Sequence, residues 1–329
     1  MNLVEFGPDD AGSVAAYTDV ANAAQRVDAP FLPEQSPLRT EMEMRHSWDG
    51  ELGRFFLLRE GDRVLGTARL DTSEWDNLDL AWVEVVVDPQ HRRRGAGTAA
   101  LAELERLALA GDRHLVGVSG WDSAGVRAFA ERTGYLLGSQ EIARRLDLTG
   151  VDLARIRTLR DEAAERASAY ELVRVVGRTP EELLDDLAAI TGAINDAPMG
   201  DLEYEDEVYP PQRVRDYEEH STAAGWRLHR LLARHRGTGE LGGHTVVLVD
   251  VRGEEPARQH DTSVVAAHRG RRLGLLLKAE MVLWLASEEP EVAQVLTWNA
   301  EANDHMIAVN EALGFEALGR ELEFQRRLS

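Results

Sequence analysis

The sequence predicts two successive domains of the α/β (α+β) class, each a mixed, mostly antiparallel sheet flanked by helices. The first observation is a repeat, VVVDPQHRRRGAGT at Val85–Thr98 and TSVVAAHRGRRLGL at Thr262–Leu275. Each copy joins a strand-like run to a helical run through a turn rich in Arg and Gly. The second observation is that strand-like and helix-like runs are interspersed in both halves, as in sheets covered by helices. A unit that recurs along 329 residues indicates two copies of one domain.

The spacing of the repeat sets the expected domain boundaries. Arg269 follows Arg92 by 177 residues, and the Gly314-Phe315 pair follows Gly134-Tyr135 by 180. We therefore expect an N-terminal domain over residues 1–149 and a C-terminal domain over residues 169–329. The charged, Ala-rich stretch between them, residues 150–168, has apolar residues at helical spacing and predicts a linker helix.

The elements of the first half follow from local residue patterns. The run 3–6 predicts a strand, and Gly7-Pro8-Asp9-Asp10 predicts a turn that starts an Ala-rich helix. Two apolar runs around a polar, Gly-containing turn predict a hairpin. The later elements are strands and helices in alternation: hairpin strands Arg54–Arg59 and Val64–Leu70, strand Val83–Val87, helix Thr98–Ala110, a strand, a helix ending at Gly134, and strand Ile142–Leu148.

The second half predicts the same order of elements. They are, in chain order, strand Leu172–Val176, helix Leu183–Ile190, hairpin strands Trp226–Ala233 and His244–Val251, strand Thr262–Val265, helix Leu275–Ser287, a strand, a helix ending at Gly314, and strand Leu322–Leu328.

Composition narrows the classes of function. The formal net charge is −21, so we expect no nucleic-acid partner and a field that favours cationic ligands. No apolar run is long enough to span a bilayer, and the amino terminus has no secretory pattern. The absence of cysteine excludes disulfides and thiolate metal sites and fits a cytoplasmic protein. We expect no metal, no membrane association, and a monomer or homodimer.

The repeated turn is suited to holding phosphates. Its glycines let the backbone approach a ligand, and the free amides of the first helical turn point outward. The helix dipole and the arginines add positive charge. One basic turn could equally be a solvated helix start, but two of them in an acidic chain indicate that each meets an anion.

The first turn resembles motif A of the GNAT superfamily of N-acetyltransferases, Q/R-x-x-G-x-G/A, which Arg92, Gly95 and Gly97 fill completely. The second copy keeps Arg269 and Gly274 and has Arg272 in place of the middle glycine. The resemblance implies that both turns bind the pyrophosphate of acetyl-CoA, the co-substrate of the family. The implied contacts are Val85, Val87, Arg92, Arg93, Arg94, Gly95, Ala96, Gly97 and Thr98, and then Val264, Val265, Arg269, Gly270, Arg271, Arg272, Leu273 and Gly274.

The segment Thr297–Phe315 resembles motif B of the same superfamily. Asn303, Ile307, Val309 and Glu311 match it, as does the final Leu-Gly-Phe. In the first half, only the Ala/Phe spacing and Gly134-Tyr135 survive. The resemblance covers nearly the whole chain as two tandem GNAT domains and implies contacts of Asn299, Asn303 and Asn310 with CoA. The fuller motif makes the second domain the expected catalyst, while two active sites remain possible.

Acetyl transfer to an amine needs a base, because a free alkylammonium has a pKa near ~10. Glu84 and Asp261 lie eight residues before Arg92 and Arg269, on the strand that in the family faces the acceptor. We expect them to be the bases, although a strand-end carboxylate can also simply face water, and His244 and His260 are further options.

The family's usual acid is a tyrosine that protonates the leaving thiolate. Its position holds Asn310 in the second half and Ala130 in the first. We include Asn310 among the catalytic-site residues, although neither side chain can supply that proton. Another Tyr (204, 209 or 217), a water, or release of the thiolate itself would then be needed.

The segment Asn195–Glu207 is rich in acid and follows the first helix of the second half. The GNAT resemblance implies that this region covers the acceptor site. We therefore expect Asp201, Glu203 and Tyr204 to hold a cationic acceptor, the alternative being a solvated acidic loop.

The function expected from these patterns is acetyl-CoA-dependent N-acetylation of a small, cationic amine by direct transfer. One alternative is a non-catalytic acyl-CoA-binding or scaffold protein built from degenerate GNAT domains. Another is a transferase of the same superfamily that uses a different acyl donor.

Overall fold

All residues from Met1 to Ser329 are described by a computed structural model with twelve strands and nine α-helices. The first half contains, in chain order, β1 (Asn2–Phe6), α1 (Ala11–Asp28), α2 (Pro37–His46), β2 (Arg54–Glu60), β3 (Arg63–Thr72), β4 (Leu80–Val87), α3 (Ala96–Ala110), β5 (Leu115–Trp121), α4 (Ala124–Thr133) and β6 (Leu136–Asp147). After α5 (Leu153–Arg166), the second half contains β7 (Tyr170–Val176), α6 (Glu181–Thr191), α7 (Pro211–Ala223), β8 (Trp226–His235), β9 (Leu241–Asp250), β10 (Ala257–Val264), α8 (Leu273–Glu288), β11 (Gln294–Ala300), α9 (Asp304–Leu313) and β12 (Glu316–Arg327). The two halves have the same order of elements, which confirms the predicted fold class.

The helix ends show why the repeat keeps its spacing. Ser123 and Asn303, 180 residues apart, cap α4 and α9 with side-chain oxygens that accept from the backbone amide three residues later. Gly134 and Gly314 end these helices in the left-handed conformation, with φ of 78° and 92°. Glycine takes this conformation readily, which is why each helix stops at the Gly of the Gly-aromatic pair.

Contacts divide the chain into two units that do not follow the chain order. Unit 1 consists of Met1–Glu141, Met199–Asp206 and Gly319–Ser329, and unit 2 consists of Ile142–Pro198 and Glu207–Leu318. Unit 1 therefore includes most of the strand that ends the second half, and unit 2 includes half of the strand that ends the first half. The domain bounds 1–149, 150–168 and 169–329 describe the sequence repeat and stay a prediction.

The sheet of unit 1 has the strand order β1-β2-β3-β4-β5-β12. All neighbours are antiparallel except β4 and β5, which pair in parallel from Leu80–Leu115 to Val83–Val118. Pairing stops there although β4 continues to Val87, so the two strands part beyond Val83. Helix α3 packs Leu101 and Leu104 into the core on one face of this sheet.

The sheet of unit 2 repeats this arrangement with the order β7-β8-β9-β10-β11, followed by β6. Its parallel pair, β10 and β11, is joined only at Ala257–Val295 and Arg258–Leu296. The antiparallel pairing of β10 with β9 shifts register between Gln259 and Thr262. Helices α5 and α8 form the main apolar core, which includes Ile156, Ala163 and Trp284.

Most predicted elements are confirmed within a few residues, and the stretch 150–168 contains the helix α5. Two helices, α2 and α7, were not predicted, since their charged sequences lack a clear apolar stripe. The final strands begin at Leu136 and Glu316, directly after the Gly-aromatic pairs and earlier than predicted. No helix of the chain is both long and apolar enough to cross a bilayer.

Candidate active site

In unit 1, an arginine fixes the turn between β4 and α3. The Arg92 Nε donates to the Val87 carbonyl at 3.0 Å, and its Nη1 donates to the Asp28 carboxylate at 2.8 Å. Arg93 and Gly95 have left-handed backbones with φ of 64° and 86°. Gly95 is the N-cap of α3 and has no side chain that could satisfy the amides of the first turn. Those amides are therefore available to an anion.

The turn of unit 2 is built in the same way. The Arg269 Nε donates to the Val264 carbonyl at 2.9 Å, and its guanidinium pairs with Asp196. The two left-handed residues are Gly270 and Arg272, with φ of 78° and 59°, so Arg272 keeps the backbone of the glycine that it replaces. No side chain caps α8, which leaves its first amides open as well.

A cleft of about 780 Å³ in unit 1 brings the turn together with the parted strands. Glu84 and Glu321 line it together with Arg92, Gly95 and Gly97. All the residues predicted to contact acetyl-CoA in the first half line this cleft except Arg94. The cleft opens where β4 and β5 cease to pair, because Glu84–Val87 and Val118–Trp121 form its walls.

Glu84 combines access to solvent with a raised pKa. It is an exposed residue because it faces the cleft, yet protein surrounds the cleft on its other sides. Desolvation by the protein around the cleft raises the pKa of Glu84 to about 7, Arg69 opposes this, and Glu43, Asp71 and Glu321 add to it. A carboxyl group with a pKa near neutrality in a cleft is suited to accept a proton at physiological pH.

Two further carboxyl groups of unit 1, outside the lining of the cleft, have raised pKa values under the influence of Glu321. Burial and the charge of Glu321 raise the pKa of Glu141 to about 7, and the pKa of Glu323 rises to about 7 through burial, Glu141 and Glu321. Ser119 donates its hydroxyl to Glu321 at 2.8 Å. These residues were missed from the sequence, although Glu321 and Glu323 alternate with apolar residues and so share one face of a strand.

Arg69 is the cation of this acidic region. Its guanidinium pairs with Glu43 at 2.7 Å and with Asp71 at 2.8 Å, and it stacks on the Phe55 ring with 4.9 Å to the centroid. Arg69 was also missed, because its partner Glu43 comes from α2 and lies 26 residues away in sequence. It lowers the pKa of Glu84, which stays near neutrality despite its acidic neighbours.

In unit 2, Asp261 takes the place of Glu84 on β10. Burial and the charge of Glu207 raise the pKa of Asp261 to about 6, while Arg230 opposes the rise. Two phenols lie in the same region: the hydroxyl of Tyr209 donates to Glu207, and that of Tyr217 lies 3.1 Å from the Nδ1 of His260.

The two histidine options of unit 2 are poor acceptors of a proton at neutral pH. Burial and nearby arginines lower the pKa of His244 to about 3 and that of His260 to about 4. Both rings are therefore neutral, and each would release a captured proton at once.

Two asparagines expected to contact CoA lie close together in unit 2, and a third begins a helix. Asn310 is fully buried, its amide nitrogen donates to the Asn299 side chain, and its Oδ1 has no partner. Asn303 uses its side chain to cap α9. The matching position in unit 1, Ala130, lines the cleft. No tyrosine stands at either position, as the sequence indicated.

The predicted acceptor residues lie in the segment of the second half that belongs to unit 1. The backbone amide of Asp201 donates to the Gly138 carbonyl at 2.7 Å, and the Glu203 carboxylate pairs with Arg327 at 2.7 Å. Gln325 accepts from the Glu203 amide and donates to its carbonyl, which anchors this segment on β12. Asp201 and Glu203 are exposed and Tyr204 is half-buried, and none of the three lines the cleft.

Comparisons with known proteins agree with these features. The model of the Acetyltransferase (GNAT) family matches residues 21–135. A mycothiol acetyltransferase from Geodermatophilus obscurus is 30% identical over 326 residues, spanning 92% of this chain and 94% of that protein. Among solved structures, a tandem GNAT protein from the clavulanic acid biosynthesis pathway is 26% identical with a TM-score of 0.79, covering 99% of this chain and 98% of that one. A GCN5-related N-acetyltransferase from Sphaerobacter thermophilus shares the fold at 16% identity and a TM-score of 0.67, covering 99% and 95%.

Proposed function

The chain belongs to the GNAT family of acetyltransferases, and we propose that it transfers acetyl from acetyl-CoA directly to the amine of a small, cationic acceptor. As an N-acetyltransferase it acts on a small-molecule acceptor. The observation that carries the finer proposal is the cleft of unit 1, in which open helix amides and the Glu84 carboxyl line one space. The pyrophosphate would bind at the turn, and the thioester would reach between the parted strands.

Glu84 is the proposed base of this site. The ionised carboxylate takes a proton from the acceptor ammonium, and the neutral nitrogen attacks the thioester carbonyl. The new C–N bond forms as the C–S bond breaks, the electron pair leaves with the sulfur, and the nitrogen releases its second proton to solvent as the amide forms. Asp261 is the proposed base of the equivalent site in unit 2, where Asn310 occupies the position of the family's acid and contacts CoA with Asn299 and Asn303.

The acceptor is proposed to be cationic because acid dominates the surroundings of the first base. Glu43, Asp71 and Glu321 all act on Glu84, against the single cation Arg69. A positively charged acceptor would be attracted to this region before it loses its proton. Asp201, Glu203 and Tyr204 stay proposed acceptor contacts. On binding, the Glu203 carboxylate would release Arg327 and pair with the cationic acceptor.

The net charge of −21 and the lack of cysteine support further parts of the proposal. The protein would work in the cytoplasm as a monomer or homodimer, without a nucleic-acid partner. Sedimentation of the purified chain tests the oligomeric state, and a mobility-shift assay with duplex DNA at low salt tests the nucleic-acid part.

Calorimetric titration with acetyl-CoA, followed by acetylation of a panel of amines, tests the main proposal. We expect saturable binding that Gly97→Trp abolishes in unit 1, because the indole would enter the cleft. Gly274→Trp is the matched variant for the turn of unit 2, and the number of CoA molecules lost with each assigns the sites. Absence of binding up to millimolar acetyl-CoA would contradict the proposal, and binding without turnover on any amine would favour the acyl-CoA-binding alternative.

A further inference from the structure

Lys278 is a buried amine that the proposed reaction has not used. It lies on α8 with 2% of its surface exposed, and its Nζ makes no hydrogen bond or ion pair. The Nζ of Lys278 lies over the Phe315 ring, 5.0 Å from its centroid, in the geometry of a cation–π contact. A buried ammonium without an acidic partner is unfavourable, so a lysine in this position calls for an explanation.

The neighbouring carboxylates do not compensate Lys278. Burial alone lowers the pKa of Lys278 to about 7, with no contribution from any charged group. Three carboxylates on the helices around it are paired with other cations: Glu280 with Arg160 and Arg174, Glu162 with Arg272, and Glu311 with Arg144.

The repeat relates Lys278 to a residue of the unit 1 cleft. The offset of 177 residues that relates the two turns continues into the helices, so Lys278 on α8 corresponds to Leu101 on α3. Leu101 lines the cleft of unit 1 together with Ala130, whose counterpart in unit 2 is Asn310. Phe315 connects the two polar residues, because its ring lies against Lys278 and its backbone amide donates to the Asn310 carbonyl at 2.9 Å.

We propose that Lys278 is a catalytic acid of unit 2, which gives its proton to the leaving thiolate where the usual tyrosine is replaced by Asn310. The inference rests on the proposed acetyl transfer and extends it to a second active site. Asp261 first takes a proton from the acceptor ammonium. As the neutral nitrogen attacks, the C–S bond breaks and its electron pair goes to sulfur, which takes a proton from the Lys278 ammonium. The nitrogen releases its second proton to solvent as the amide forms, and the proton on Asp261 returns through solvent to the neutral Lys278 amine.

Burial makes this lysine a better acid than an ordinary one. A thiol has a pKa of about 8.5, whereas an unperturbed lysine has a pKa of about 10.4 and would give up its proton unfavourably. An ammonium with a lowered pKa transfers its proton to the thiolate downhill. The resting amine can also remain neutral, which explains how the core tolerates it without a partner.

The test measures unit 2 alone, in the full chain carrying Glu84→Gln. Lys278→Met and Lys278→Arg are added to this background; the first restores an apolar residue, and the second keeps a charge that cannot donate its proton. With acetyl-CoA, we expect both to lower kcat by about 10²-fold or more. With 4-nitrophenyl thioacetate, whose thiolate leaves without a proton, we expect rates within about twofold of the background.

Equal losses with both donors would overturn the assignment and make Lys278 a packing residue, and unchanged kcat with acetyl-CoA would overturn it as well. If Glu84→Gln alone abolishes all transfer, unit 2 is not a catalyst and this inference fails, while the proposed function stands. If the wild-type chain acetylates no amine, both the proposed function and this inference are contradicted. Thermal melting of each variant confirms that the compared proteins are folded.

Discussion

Gly95 and Arg272 hold the same left-handed backbone conformation at the same step of the two turns, with φ of 86° and 59°. Two residues earlier, Arg93 and Gly270 share it too, with φ of 64° and 78°. Each turn thus has one glycine and one arginine at its two left-handed positions, in opposite order. The backbone that presents the helix amides is the same in both, although the second sequence departs from the motif.

Gly95→Ala should destabilise unit 1 by about 1 kcal/mol, because a side chain in the left-handed region is strained by about that amount. Nothing lies within 4 Å of the added Cβ, so the effect is one of backbone and not of packing. Gly125→Ala, in a helix with ordinary φ, is the control and should be neutral or stabilising. Urea denaturation measures both, and equal effects would contradict the backbone explanation.

Glu84→Gln should lower kcat of the unit 1 site by about 10²- to 10⁴-fold, since the amide cannot accept a proton. In the wild type, the base works only when ionised, so the rate should rise with pH through about 7, the pKa of Glu84. Stopped assays from pH 5.5 to 9 with Gly274→Trp, which confines binding to unit 1, record this profile. A flat profile in that range would exclude Glu84 as the base.

Arg69→Met should move the midpoint of the same profile to higher pH. Arg69 lowers the pKa of Glu84, and its removal also leaves the Glu43 and Asp71 carboxylates without their partner. Activity lost at pH 7 should return near pH 8.5, which a merely structural defect would not allow. Arg54→Met is a matched control, because Arg54 also stacks on a phenylalanine but pairs with Glu5 at an exposed site.

The free energy of unfolding of unit 1 should fall as the pH rises from about 4.5 to 7. Glu141 and Glu323 have folded-state pKa values of about 7 against ordinary values near 4.5, so the folded protein holds more protons in this window. The double variant Glu141→Gln/Glu323→Gln should reduce the slope measured by urea denaturation at several pH values and leave the part that Glu84 contributes. Glu131→Gln, exposed on α4, should leave the slope unchanged; if it flattens the slope equally, the assignment is wrong.

The parts of the site that come from one continuous stretch could be predicted from the sequence. The strand, the turn with Arg92 and Gly95, and the following helix form one local stretch. The order and spacing of their residues were therefore sufficient to predict them. Glu84 followed for the same reason, since its distance from Arg92 along a strand fixes its place.

The parts that depend on distant segments could not be predicted in this way. Arg69 acts through partners on other elements, and Glu321 reaches the cleft only because β12 pairs with β5 in register from Glu321–Trp121 to Arg327–Leu115. Lys278 did carry a signal, a lysine within a mostly apolar helical run, but only the structure shows that it is buried without a partner. Asp201 and Glu203 were placed by the GNAT resemblance, which does not indicate the unit that a segment joins.

The composition of unit 1 has a consequence for biosynthesis. Its sheet takes β12 as its sixth strand, and β12 is translated about two hundred residues after β5. The nascent first half therefore lacks the sixth strand of its sheet until the end of the chain has been synthesised. Neither half of the sequence by itself contains every segment of the unit to which most of it belongs.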